Sequence, residues 1–123
     1  MSVERTRAVM MRYLEAHDES MLDQQAVFTI MGTGKVARGR DAIGQLINSF
    51  YNGVFEAQYE LKDLLIAEGQ ACFEAELVGR QLSEFAGIAP SGEEIRVPLC
   101  IVYELANDLI THGRIYFGTD ALR

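Results

Sequence analysis

Three sets of side chains in this sequence have the types and spacing for proton-transfer chemistry. Glu74 and Glu76 alternate with Phe73, Ala75 and Leu77, so both carboxylates share one side of a strand. If that side is concave, Glu76 is a candidate buried general base, the role carboxylates take in apolar sites. If it is convex, the preferred alternative, both are solvated or paired across a dimer interface. His112 is a second candidate base, because an imidazole changes charge near neutral pH. It shares one side of the last strand with Arg114 and Tyr116, while Thr111, Gly113, Ile115 and Phe117 share the other. An outward side for His112, Arg114 and Tyr116 is preferred, since Arg and Tyr are enriched at subunit contacts. Tyr13 lies on the apolar stripe of the first helix. Its phenol serves either a structural hydrogen bond or a ligand oxygen.

Other chemical groupings carry less. His17-Asp18-Glu19 holds one histidine and consecutive residues at a helix end, which do not converge on one ion; a capping and solvated role is expected. Gly32-Thr33-Gly34-Lys35 has neither the spacing nor the following helix of a phosphate loop, and Val36 stands where Ser or Thr belongs. Cys72 and Cys100 sit in apolar, strand-like runs with no adjacent base, so two reduced, buried thiols are expected. Neither a metal site nor a cofactor is indicated.

These groups depend on elements that the periodicity marks. Residues 3–17 place Val3, Thr6, Met10, Tyr13, Leu14 and His17 on one helical stripe, and Met21 to Gln25 suggest a further short turn of helix. Val27 to Met31 reads as a strand closed by Gly32-Thr33-Gly34. After Gly39-Arg40-Asp41, the positions Ile43, Leu46, Ile47, Phe50, Tyr51 and Val54 share a second helical face, with Asp41 suiting the positive end of the helix dipole. From Phe55 the period shortens. Segments at about 56–67, 71–82, 95–105 and 109–118 read as four long strands joined by turns and by one loop from Glu84 to Gly92. Strands that long imply bends or bulges.

Composition bounds the rest. The chain has 123 residues, 49% hydrophobic and 24% charged, which suits a single domain over residues 1–123. Eighteen acidic against eleven basic residues give a net charge of −7, which argues against nucleic acid and anionic membrane as partners. No apolar run has the roughly 18–20 residues a membrane span needs, and the N-terminus has no signal-peptide pattern, so a cytoplasmic location is expected. The fold class is α+β: a curved antiparallel sheet packed on about three N-terminal helices.

Several motifs carry a family likeness. Gly39-Arg40-Asp41-Ala42-Ile43 opens the second long helix. The loop Phe85-Ala86-Gly87-Ile88-Ala89-Pro90-Ser91-Gly92 carries a GxxxTG-like stretch with Ser for Thr. A closing hairpin runs from Val97-Pro98 through Tyr103-Glu104-Leu105 to Arg114-Ile115-Tyr116-Phe117. In these motifs and in element order the chain resembles the SnoaL-like polyketide and ester cyclases, within the cone-shaped, cystatin-like nuclear transport factor 2-like superfamily. The resemblance implies a pocket between the concave sheet and the helices. It also places Tyr13 where ketosteroid isomerase has its oxyanion tyrosine. That enzyme's acids would fall near Ile30 and Val97. Those of limonene epoxide hydrolase would fall at Ile115 and Gly118. The cyclases' late aspartate has only Asp120 as a displaced counterpart.

The expected ligand-binding wall is Phe28, Phe50, Tyr51, Val97, Leu99, Ile101, Tyr103, Ile115 and Phe117, with Tyr13. Such a cup suits a small apolar, partly oxygenated ligand. Two readings follow: an isomerase or cyclase acting next to a carbonyl, with Tyr13 as donor and Glu76 or His112 as base, or a non-catalytic binding or dimerisation domain. A homodimer through the convex sheet face, with Glu74, Arg114 and Tyr116 as contact candidates, is expected under both.

Overall fold

The computed structural model describes residues 1–123. Helix α1 (Val3–Ala16) leads through a 3-10 turn (Glu19–Met21) into β1 (Leu22–Ile30) and β2 (Lys35–Arg38). Helix α2 (Arg40–Asn52) follows, then β3 (Phe55–Ala67), β4 (Gln70–Gln81), β5 (Glu94–Ala106) and β6 (Leu109–Phe117), with a last 3-10 turn at Thr119–Leu122. The six strands form one curved sheet in the order β2-β1-β6-β5-β4-β3. The architecture is α+β. It departs from expectation in four details. The third helix is only a 3-10 turn, β1 begins at Leu22, and β2 pairs with β1 as an additional edge strand. The sheet is also mixed, because β1 runs parallel to β6.

Local chemistry fixes each helix. Ser2 caps α1 by accepting a hydrogen bond from the Arg5 amide at 3.1 Å, and His17 ends it in the left-handed conformation (φ 47°). Thr6 is fully buried. Its hydroxyl donates to the Ser2 carbonyl at 2.8 Å and accepts from the Gly69 amide at 3.0 Å, tying α1 to the β3–β4 turn. Gly39, with φ +85°, precedes α2 and donates to the Ala26 carbonyl at 2.9 Å. Arg40 Nε donates to the Leu22 carbonyl at 2.8 Å. The Gly39-Arg40 pair thus anchors the start of α2 to both ends of one stretch of β1.

Strand alternation sorts the sheet into two faces. Ala71, Phe73, Ala75 and Leu77 of β4 and Val97, Leu99, Ile101 and Tyr103 of β5 are buried against the helices. The outer face carries Glu74, Glu76, Arg96, His112, Arg114 and Tyr116 between those positions. Curvature comes from register shifts at Leu61/Asp63 in β3 and at Glu104/Leu105 in β5. At Gly79 the β4 backbone comes so close to β3 that a Cβ would lie 2.2 Å from the Glu56 carbonyl oxygen.

The outer face is held by charge. Lys62 Nζ lies 3.1 Å from Glu76 and 3.6 Å from Glu60, and Arg96 Nη1 lies 3.0 Å from Glu60 and 3.6 Å from Glu76. Arg114 pairs with Glu104 across β5 and β6. Cys72 and Cys100 are free thiols with sulfurs 3.3 Å apart, half-buried on this face and not in the core. Partial burial, then the Cys72 contact, pushes the Cys100 thiol up to about 11, which suits an unreactive thiol.

Inside, Phe28 of β1 is fully buried and packs edge-on against Tyr13 at 6.5 Å and Tyr103 at 6.0 Å between ring centroids. Its ring fills the space that Gly113 leaves on β6, where a Cβ would meet Phe28 at 2.8 Å. Gly113→Ala is expected to lower the unfolding free energy by about 1–3 kcal/mol through overpacking. The readout is a lower urea midpoint at unchanged m-value; an unchanged midpoint would show that Phe28 moves aside freely.

Candidate functional site

Between the concave sheet and the helices lies a cavity with thirteen hydrophobic residues among its fourteen lining positions. Helix α1 supplies Tyr13 and Leu14, with His17 at its end; α2 supplies Ile47, Phe50 and Tyr51. The strands add Tyr59, Phe73 and Leu77, then Leu99, Ile101 and Tyr103, then Ile115 and Phe117. The space is narrow. About 40 Å³ is open to the centres of water molecules, where a single water needs about 10–15 Å³. A second, more polar hollow adjoins it through shared walls at Tyr13, His17, Ile47 and Tyr51, and adds Glu19, Leu22, Gly44 and Asn48. It offers about 150 Å³ in the same measure.

Four tyrosines converge here, and their hydroxyls differ. Tyr59 Oη donates to the Leu14 carbonyl at 3.3 Å. The hydroxyls of Tyr13, Tyr51 and Tyr103 have no protein partner, and none is sealed off from the cavity space. A hydroxyl that faces open space takes its hydrogen bond from whatever enters, so these three are placed to meet a guest's polar atom. Burial raises the phenol of Tyr13 well above its ordinary value, with smaller contributions from Tyr51 and Glu19. Burial also raises Tyr51 and Tyr103. All three therefore stay neutral donors across the physiological range, as an oxyanion site requires.

The imidazole of the site is His17. Its ring lies 5.5 Å from that of Tyr51 and 6.4 Å from that of Tyr13. The left-handed turn at the helix end projects it to the cavity mouth instead of continuing the helix. Asp18 turns aside: its carboxylate accepts from the Ser20 amide at 3.0 Å and from Arg12 Nε at 2.7 Å. Glu19 folds over α2, where a Cβ at Gly44 would lie 2.2 Å from Glu19 Oε1.

The expected wall is largely assembled. Phe50, Tyr51, Leu99, Ile101, Tyr103, Ile115 and Phe117 line the cavity with Tyr13. Phe28 and Val97 do not: both are fully buried and pack behind the wall as core. Glu76 and His112 lie on the outward side preferred for them, which removes the candidate role of either as a base. Both project from the outer face, Glu76 into the Lys62/Arg96 cluster and His112 beside the Thr111 hydroxyl at 3.2 Å. The physical reason is alternation, since Leu77 and Gly113 next to them are buried inward. Neither can be a base for a guest in this cavity. Glu74, Arg114 and Tyr116 lie on that outer face as well. Asp120 pairs with Arg123 at 3.5 Å in the last 3-10 turn and is not among the lining residues.

Sequence reasoning missed His17, Glu19, Tyr59, Phe73 and Leu77 as lining groups. His17 had a usable signal, because it falls four residues after Tyr13 on the same helical stripe. The preferred outward side for Glu74 and Glu76 already implies that Phe73 and Leu77 face inward.

Two measurements check this geometry. Near-ultraviolet titration should show three phenols ionising above the ordinary value of about 10. The folded state then holds protons that the unfolded state loses, so stability should fall as pH rises past about 10. A stability that stays flat there would contradict buried, neutral phenols. Tyr103→Phe removes a hydroxyl with no protein bond, so its unfolding free energy should change by well under the roughly 1 kcal/mol of a typical lost hydrogen bond. A larger loss would mean that the hydroxyl is structural.

The sequence profile of the SnoaL-like domain matches residues 7–113. No curated protein sequence matches the chain. Among solved structures, it is similar to a nuclear transport factor 2-like protein from Burkholderia xenovorans. The TM-score is 0.79 at 16% identity, covering 99% of this chain and 95% of that one. It is also similar to a protein designated a SnoaL-like polyketide cyclase from Jannaschia, with TM-score 0.78, 13% identity, and coverage of 97% and 92%. A third likeness is to a protein designated a ketosteroid isomerase from Kribbella flavida, with TM-score 0.70, 15% identity, and coverage of 93% and 78%. At such identities the structural likeness speaks for the fold. With a profile match across most of its length, and a helix-covered curved sheet around an apolar cavity, the chain belongs to the SnoaL-like domain family.

Proposed function

We propose that this protein takes up a small apolar, partly oxygenated ligand and moves a proton on the carbon next to its carbonyl, as an isomerase or cyclase. The observation that carries the reading is the set of three neutral phenols without protein partners, in an apolar cavity, beside one imidazole. The carbonyl oxygen accepts hydrogen bonds from Tyr13 and Tyr103. His17 takes the proton from the neighbouring carbon, and the C–H electron pair passes through the carbon–carbon bond to the oxygen as an enolate. The phenols stabilise that charge where bulk water is excluded. The imidazolium then returns the proton to another carbon, giving an isomer. Alternatively, the enolate carbon attacks a second carbonyl within the guest and closes a ring, with the proton going to the new alkoxide.

The designations of the Jannaschia and Kribbella flavida proteins support this class of chemistry. The two free thiols support a cytoplasmic setting. The outer face supports a homodimer: Leu65, Cys72 and Val102 stand in one cross-strand row, beside Cys100 and Tyr116 in the next. Light scattering of the purified protein should give twice the chain mass, and a monomer at working concentrations would remove the dimer.

The catalytic reading is tested with 2-tetralone, a flat two-ring ketone, by following deuterium uptake next to its carbonyl by NMR. Wild-type protein should accelerate exchange over buffer. His17→Gln should lose about 10²–10⁴-fold of the acceleration, the usual share of a general base. Tyr13→Phe should lose about 10²–10³-fold, as for one oxyanion donor. Saturable binding with no acceleration would replace catalysis by capture alone. Equal rates for wild type and Tyr13→Phe would remove Tyr13 from the site.

A further inference from the structure

The outer hollow differs in chemistry from the cavity it opens into. Three rings border it: His17 and Tyr51, 5.5 Å apart, and Tyr13, 6.4 Å from His17. Glu19 is the one carboxylate in its wall. Nine ion pairs form in the molecule, and Glu19 takes part in none of them. Its side chain has no hydrogen-bonded cation to neutralise it, and it lies exposed at the rim of the hollow, over α2.

Gly44 permits that packing. It lies within α2, where glycine is a poor helix former relative to alanine. A Cβ there would stand 2.2 Å from Glu19 Oε1 and 3.1 Å from Glu19 Cδ, both at the flexible end of one side chain. The helix thus carries its weakest residue at the position that lets the carboxylate lie against the hollow. Aromatic ring faces attract a cation through their quadrupoles, and an adjacent carboxylate adds its full charge. Leu22 and Ile47 complete the wall with apolar surface suited to methyl or methylene groups on nitrogen.

We propose that this outer hollow seats an ammonium group. The ligand would carry its cationic end at Glu19 and its carbonyl end among the inner phenols, so the identity of the whole guest rests on the reading given above. The ammonium site itself rests only on the residues of the hollow.

The test compares choline with 3,3-dimethylbutan-1-ol, which has the same shape with carbon in place of the charged nitrogen. Both are titrated by two-dimensional amide NMR against the full chain. Choline should shift the signals of residues 17–22 and 44–51 saturably, with affinity at least tenfold above that of the neutral alcohol. Glu19→Gln should lower choline affinity at least fivefold and leave the alcohol unchanged. Gly44→Ala should do the same while holding or raising the thermal midpoint, because the added methyl favours the helix and displaces the carboxylate. Equal titration by the two probes, or unchanged choline affinity in both variants, overturns the proposal. Choline discrimination without 2-tetralone exchange would retain the ammonium site and remove the carbonyl chemistry. Exchange without discrimination would do the reverse.

Discussion

The contact between Phe28 and Gly113 sets the geometry on which the site depends. Gly113 leaves an inward position of β6 without a side chain, and that gap fixes where a large ring can sit. Phe28 fills that gap from the neighbouring parallel strand, and Tyr13 and Tyr103 close edge-on around it, 6.2 Å from each other. Each ring is held by the other two. Rigid packing of this kind orients the phenol hydroxyls without hydrogen bonds to hold them, leaving their polar ends free for a guest.

The sheet divides its work between its faces. The concave side is apolar, and the polar groups that line its cavity are mostly neutral phenols. The convex side carries the carboxylates and guanidinium groups, interleaved so that Glu60 and Glu76 each lie near both Lys62 and Arg96. Solvent-exposed pairs of that kind contribute little to stability individually. Their effect is on register, since a slip of one residue would carry Glu74 and Glu76 into the core and Phe73 and Leu77 out of it.

Much of this fold is legible in the sequence, for identifiable reasons. The four long strands fall within a residue of their expected limits, because period-two alternation and the intervening turns are both strong there. β1 is longer than it reads because Asp23, Gln24 and Gln25 interrupt the apolar pattern on an exposed stretch. β2 has four residues and one buried side chain, too little for any periodicity to register. The parallel pairing of β1 with β6 brings together residues almost ninety positions apart, which no local signal encodes. Alternation shows that Glu74 and Glu76 share a side but not which side is concave. That distinction depends on sheet curvature and on where the helices dock. The same limit applies to His112. His17 reads as solvated and is exposed, but the left-handed backbone that also brings it to the cavity mouth is invisible in composition.

Two departures from local backbone preference meet at the site. A helix ends in a left-handed histidine where glycine would be easier, and a glycine occupies a helix interior where alanine would be more stable. The hydroxyls of Tyr13, Tyr51 and Tyr103 take no protein partner and face the open space of the cavity. Both backbone features cost stability, and each borders one of the two adjoining hollows. Others lie elsewhere: Ala86, Asn107 and Asp108 also take positive φ in turns, and Gln81 Oε1 is the one buried side-chain polar atom without a partner. What sets the mouth apart is that its departures adjoin polar groups that a guest, and not the chain, can satisfy.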